Sequence, residues 1–407
     1  MRTNPTLNQA RKIIKEKVVE SPTEVVSLVE AFGRVTAVPQ YSQYACPEYT
    51  QSCYDGYVIP ETAVTDTKDR LTFRVTGEIA AGDTEERVCS SGTALRIMTG
   101  ALVPRGGWKV VPQEKCREGA GRVIIPGSVI MQEPSRIRRK GAELRKGALL
   151  VRKGESVTSA HLARLADSGI ESVEVYRRPT VSFFCTGSEL IDTSRNHQKG
   201  KKISSNRYLL SGLVRGLGAF ADDCGAVPDT TKAMRDHLQL VLTRGAEIIV
   251  STGGMGPGKY DLVEETFSSL GGAVCFNTLK LRPGKATLFG VLGHVLYFGL
   301  PGPPMAVHVL FHTLVKPALR AVQGVKRWEP KAVYARLWED LHPGRTGMLQ
   351  LLEAVTWEER GTRYVRLARK NEIADCYLFC PASGRYWRQG DLMKVESFES
   401  CSRNYFC

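Results

Sequence analysis

The residues best suited to chemistry cluster between Glu247 and Asp261, a stretch that reads Glu-Ile-Ile-Val-Ser-Thr-Gly-Gly-Met-Gly-Pro-Gly-Lys-Tyr-Asp. Gly253, Gly254, Gly256 and Gly258 follow the apolar run Ile248, Ile249 and Val250. Val263, Phe267 and Leu270 recur after them at helical spacing. Strand, glycine loop and helix in that order suit a phosphate. The glycines let the backbone come close, and the N–H groups at the helix start point at the anion. Three readings are open. A plain turn would use Asp261 as the helix N-cap and Glu264 as its capping-box partner. A nucleotide P-loop would use Gly253 to Lys259, but Tyr260 stands where Ser or Thr would hold magnesium. The third is an anion-binding loop of another kind.

The elements that must position this loop alternate. From about Pro179 to Gly324 the pattern predicts a strand at Thr180 to Cys185 and helices at Arg207 to Gly218 and Asp229 to Arg244. The Ile248 strand, the Val263 helix, the strand Val295 to Phe298 and a last helix from Met305 to Val322 follow. Such alternation predicts a doubly wound α/β domain, with ligands at the carboxyl ends of its strands. Before it, residues up to about Pro39 read as helical, with Ser21 to Glu24 as a start signal. Residues from Tyr41 to Arg145, rich in Gly, Pro and Thr with short alternating runs, read as β. Helical pattern returns near Ser159 to Ala166. We therefore expect an α/β multidomain chain. A helical N-terminal segment (1–40 with 146–178) flanks an inserted β domain (41–145). The doubly wound domain (179–325) and a small C-terminal β domain (326–407) follow.

Composition narrows the partners. A net charge of +14 favours anions but does not choose among nucleic acids, phosphorylated metabolites and oxyanions. No zinc-finger or aromatic RNA-binding pattern interrupts the basic stretches, so no nucleic-acid partner is expected. Its densest basic cluster, Arg136 to Lys140, reads equally as a solvated loop. No apolar run nears the ~18 residues of a membrane helix, and Met1 to Val19 lacks a signal peptide's apolar core. A cytoplasmic protein without a membrane partner is the expectation. The odd count of 11 cysteines then predicts free thiols. Cys376, Cys380, Cys401 and Cys407 lack matching His or Cys pairs at zinc spacing.

Eight short blocks, in order and along nearly the whole chain, resemble the molybdopterin molybdenumtransferase family. They are Ser52 to Tyr57, Arg96 to Ala101 with Pro104, Ile137 to Gly141, Thr186 to Leu190, Ser205 to Arg207, Gly253 to Asp261, Pro283 to Lys285 and Leu300 to Gly302. The resemblance implies a transferase that completes molybdenum cofactor synthesis. Its substrates would be adenylylated molybdopterin and molybdate, its cation Mg2+ and its by-product AMP. It implies a homodimer, a molybdopterin-binding role for the doubly wound domain, and these site residues. Ser205, Asn206, Gly253, Gly254, Gly256, Gly258, Arg282, Lys285, Pro301 and Gly302 would bind substrate. Asp229, Glu189 and Asp261 would supply hard oxygen ligands to the metal. Asp55, Thr99, Glu189 and Asp261 would serve catalysis, the first two from the partner subunit. Each acid also has a plain structural reading: Asp261 and Asp229 as helix caps, Asp55-Gly56 as a turn, Glu189 as a first-turn helix acid.

The chain departs from the family pattern at several ligand loops. Thr50-Gln51 and Gly107-Trp108 stand where acids are usual, and Ser204 where Asp is usual. Gly256 replaces a Ser, and Pro257 removes one N–H donor. Arg282 replaces a Lys, Ala286 a Pro and Pro303 an Asn. The alternative function is therefore a divergent, non-catalytic pterin- or nucleotide-binding paralogue.

Overall fold

The computed structural model describes residues 4–63, 69–191, 199–255, 262–344, 347–383 and 385–398. Gly256, Pro257, Gly258, Lys259, Tyr260 and Asp261 lie outside the described residues, as do Cys401 and Cys407.

At the centre is a six-stranded sheet. Its order is Phe220–Val227, Thr180–Thr186, Ile248–Thr252, Val295–Leu300, Ala286–Leu292 and Ala273–Thr278. The first four strands are parallel; Ala286–Leu292 runs antiparallel beside them, and Ala273–Thr278, antiparallel to it, returns to their direction at the edge. The three central strands are apolar because both faces are buried. Val181, Phe183, Ile248, Val250, Leu296 and Phe298 enter one core, while Phe184, Ile249, Val295 and Tyr297 enter the other. Period two thus splits each strand between two layers. One core takes in the helix Ser205–Gly216 and the long helical run from Pro304 to Val322. The opposite core takes in Thr231–Leu242 and Leu262–Ser269.

The N-terminal segment corrects one sequence expectation. Leu7–Lys17 is a helix, with Thr6 and Gln9 closing a capping box. Its Leu7, Ala10 and Ile14 join the core of the central sheet. Thr23–Ser27, however, is a strand antiparallel to Ser172–Tyr176, not a helix. Val25 and Val26 favour a pleated surface, and Val26 packs with Val173 and Val175. The helix start comes later. Ser27 and Glu30 form the capping box of the short helix Leu28–Ala31.

Between these paired strands the chain builds a second six-stranded sheet. Its order is Gly107–Pro112, Gly56–Pro60, Thr93–Ile97, Arg70–Ile79, Arg122–Pro126 and Arg117–Gly119. The C-terminal part closes on itself. Leu349–Glu359 pairs with Thr362–Leu367 on one edge and Cys376–Cys380 on the other. Ala332–Leu337 and Leu392–Ser397 complete the ring, giving a small barrel without free edges among these five strands. Among the described residues no helix is long and apolar enough to cross a membrane.

Candidate active site

The carboxyl ends of the parallel strands carry the residues singled out from the sequence. Thr186 and Thr252 end neighbouring strands, and Leu300 ends the next. A cavity of about 500 Å3 opens there, lined by Thr186, Glu189, Lys202, Asn206, Thr252 and Gly302 among others. That volume lies within the roughly 300–1,000 Å3 usual for small-molecule sites.

Asn206, in the first turn of Ser205–Gly216, ties the loops together. Its Nδ2 donates to Gly302 O at 2.8 Å and to Thr252 Oγ1 at 3.3 Å. Asn206 is 8% exposed, and its Oδ1 has no hydrogen-bond partner. A buried acceptor without a partner is costly. A ligand N–H would relieve it. Ser204 makes no side-chain cap bond to this helix, and with Arg207 N–H turned back to Ser204 O at 3.3 Å, the N–H groups of Ser205 and Asn206 are the ones left for an anion.

Gly253 has a steric role at this edge. Its φ is +96°, and a Cβ there would sit 2.4 Å from Thr186 O. Its N–H donates to Leu300 O at 2.9 Å, extending the ladder, so that N–H is committed within the fold. Gly254 follows it, and the rest of the glycine loop lies outside the described residues.

The two described acids lie on adjacent loops, Glu189 after the strand Thr180–Thr186 and Asp229 after the strand Phe220–Val227. Glu189 is exposed and lines the cavity. Asp229 accepts from the N–H of Ser188 at 3.2 Å, which ties its loop to the residue beside Glu189. Asp229 is not the cap of the following helix. Thr230 is, accepting from Ala233 N at 3.3 Å. Among the described residues no three His, Cys, Asp or Glu side chains form a metal cluster. Of the two, Glu189 alone lines the cavity; magnesium would need one or two carboxylates and would complete its shell with water and substrate phosphates.

The remaining sequence-nominated residues fall elsewhere. Asp55 and Thr99 come together in the inserted sheet region: Thr99 N–H and Oγ1 both donate to Asp55 Oδ1 at 2.7 Å. These bonds, the backbone one first, hold the Asp55 carboxyl below the usual carboxylate range. Arg282 lies in the short strand Leu281–Arg282 that pairs with Leu349–Gln350. Neither Arg282 nor Lys285 nor Pro301 lines the cavity, whereas Ser205 and Gly302 do.

Sequence reasoning passed over Thr252 and Lys202. The signal for Lys202 was the basic run Lys199-Gly-Lys-Lys just before Ser205-Asn206. Lys202 belongs to the two-residue strand Lys202–Ile203, which pairs with Leu190–Ile191 beside Glu189. Its neighbour Lys201 donates to Ser188 O at 2.7 Å and so braces the same loop.

Comparison with known proteins agrees with this fold. Residues 5–169 match the model of the MoeA N-terminal region (domain I and II), and residues 182–321 match a probable molybdopterin binding domain. The molybdopterin molybdenumtransferase of Nostoc sp. is 34% identical over 344 residues, covering 83% of this chain and 78% of that protein. The Haemophilus influenzae protein of that name is 31% identical, covering 80% of this chain and 79% of its own length. The Staphylococcus aureus one is 28% identical over 97% of this chain and 96% of its own. The crystal structure of a molybdopterin biosynthesis moeA protein from Pyrococcus horikoshii OT3 has the same fold. Its TM-score is 0.80 at 24% identity, covering 97% of this chain and 100% of that one.

Proposed function

This chain belongs to the molybdopterin molybdenumtransferase family, and from that premise we propose how its residues carry out the last step of molybdenum cofactor synthesis. The reaction is insertion of molybdate into adenylylated molybdopterin with release of AMP. The observation that carries the reading is Asn206. Its buried, unpaired Oδ1 borders a cavity at the carboxyl edge of a parallel sheet, where such folds bind ligands.

The pterin, rich in N–H donors, pairs with Asn206 Oδ1. The first turn of the Ser205 helix and the Lys202 ammonium hold the phosphates. Gly253, Gly254, Gly256 and Gly258 form the backbone loop over them, with Arg282 and Lys285 supplying further positive charge. Glu189, Asp229 and Asp261 hold Mg2+ together with substrate oxygens; bound there, the cation would neutralise charge on the anhydride being cleaved. Asp55, held by Thr99 and ionised at neutral pH, orients the attacking oxygen from a second copy of the chain. The protein is thus proposed to act as a homodimer, and to act in the cytoplasm.

The test is AMP release. Purified chain, adenylylated molybdopterin, molybdate and magnesium should give AMP, detected by chromatography, with little product when magnesium is chelated. Tight substrate binding with no AMP under any of these conditions would overturn the catalytic reading.

A further inference from the structure

We propose that a second cavity, of about 410 Å3 and sharing no lining residue with the first, binds a nucleoside phosphate. It forms where three segments meet: the end of the first helix, the Lys153-Gly154 turn, and the run after the last helix of the central domain. Val18, Val325 and the buried indole of Trp328 give it an apolar wall. Lys15, Lys153 and Lys326 line it with three ammonium groups.

Those charges are only partly neutralised locally, since one carboxylate, Glu20, stands against three ammonium groups. Among the described residues none of the three lysines pairs with a carboxylate. The cavity's one acid, Glu20, accepts a hydrogen bond from the Tyr176 hydroxyl at 2.7 Å. Lys15 lies over the Trp328 ring at 5.1 Å, and Lys153 over the Tyr176 ring at 6.0 Å. Lys15 has an ordinary helical reason to be there, because it sits in the last turn of its helix. Lys153 and Lys326 have none. Like charges converging from separate segments repel unless an anion shares the site.

The convergence is built rigidly. Lys326 N–H donates to Gly154 O at 3.1 Å, and Gly154 N–H to Thr36 O at 2.8 Å. Gly154 has φ +77°, and a Cβ on it would meet Gly324 O at 2.8 Å, so only glycine lets the two turns approach. A planar apolar body against the indole wall and a phosphate among the lysines match both halves of the cavity. A nucleoside phosphate has both parts, and the volume suits one.

Titration of the full chain with AMP, by calorimetry and tryptophan fluorescence, tests this. The site proposed for catalysis can also hold AMP, so two variants separate them. We expect two binding events. In Lys153→Gln/Lys326→Gln one of them should weaken by at least about tenfold while the other persists. Asn206→Ala should do the reverse. Trp328→Phe should lose the fluorescence change tied to the lysine-dependent event, and inorganic pyrophosphate should compete for it. The altered lysines are exposed, so an unchanged melting temperature is expected to certify the fold. AMP binding left intact by the lysine variant would overturn the proposal. So would pyrophosphate binding without any AMP binding. A titration of the unaltered chain that shows only the lysine-dependent event would count against the catalytic reading and leave this one standing.

Discussion

Asn206 uses its amide hydrogens inside the protein, on Gly302 O and Thr252 Oγ1, and leaves its carbonyl oxygen to whatever fills the cavity. Replacing it by Ala removes both the loop tie and the ligand acceptor. One hydrogen bond left unmade at a buried site costs about 1–3 kcal/mol. Asn206→Ala should therefore raise KM for the pterin substrate by about tenfold or more, and the lost loop tie should lower the melting temperature by a few degrees. Steady-state AMP release and a melting curve check the two halves of that statement. Asp55 gives a second, independent reading. Thr99 donates twice to its carboxylate and so stabilises the charged form, which lowers its pKa. The group stays ionised well into acid, so its charge is lost only as pH falls through the lowered value. Thr99→Val removes the hydroxyl donor and should shift the acid limb of kcat/KM to higher pH. An acid limb that does not move would take Asp55 out of the reaction.

Elements differ in how plainly the sequence announces them. The strands at Thr180, Ile248 and Val295 were legible because burial on both faces makes each a dense apolar run. Phe220–Val227 was not. It is the edge of its sheet, partly exposed, and carries Asp222 and Asp223. The barrel's closure was illegible for another reason. Leu349–Glu359 must pair with strands on both sides, and nothing in its own residues names the second partner. Within the last helical run, Phe311–Val315 winds as a π turn that periodicity does not foretell. Arg11 donates to the carbonyl of Thr313 in this turn at 2.9 Å and forms a buried two-bond pair with Glu396 of the barrel. The same turn carries His312, whose two ring nitrogens are buried without partners. Around it stand His308, Lys316, Tyr377 and Phe398, with Tyr377 OH bonded to His308 Nδ1. Burial, with His308 and Lys316 nearby, pushes His312 down to about 2, and burial pushes His308 down to about 4. Both rings are neutral in the fold but protonate when it opens. Stability is therefore full above the ordinary imidazole value of 6.5 and is lost progressively as pH falls below it. At pH 5 the His312 share of that loss is roughly 2 kcal/mol. His312→Phe keeps the aromatic packing and should flatten the fall in melting temperature between pH 7 and pH 5. An equally steep fall would show that His312 does not titrate on unfolding.

At the scale of the whole molecule the candidate site is divided. Glu189, Asn206 and Thr252 border one cavity on the central sheet, while Asp55 and Thr99 bond to each other at the inserted sheet. Glu189 and Asn206 were readable as one set because parallel strands of a doubly wound sheet end on one side, whereas Thr252 was not singled out. The second group joins them only through the family resemblance, because spacing along a chain says nothing about which copy of a domain faces which. If the inserted sheet of one copy completes the cavity of another, two-fold symmetry makes two such sites per dimer. Asp55→Asn damages the inserted half of each site, and Asn206→Ala damages the cavity half. A dimer with one subunit of each kind has one site with both lesions and one site with none. Mixing the two impaired variants in equal amounts, at substrate well below KM where each alone is slow, and allowing subunits to exchange makes half the dimers mixed. Activity should then recover to about a quarter of the wild-type level, half of the dimers each with one of two sites restored. If instead Asp55 serves a site within its own chain, every site in the mixture still carries a lesion. AMP release would stay at the level of the separate variants, and the divided-site arrangement would be wrong.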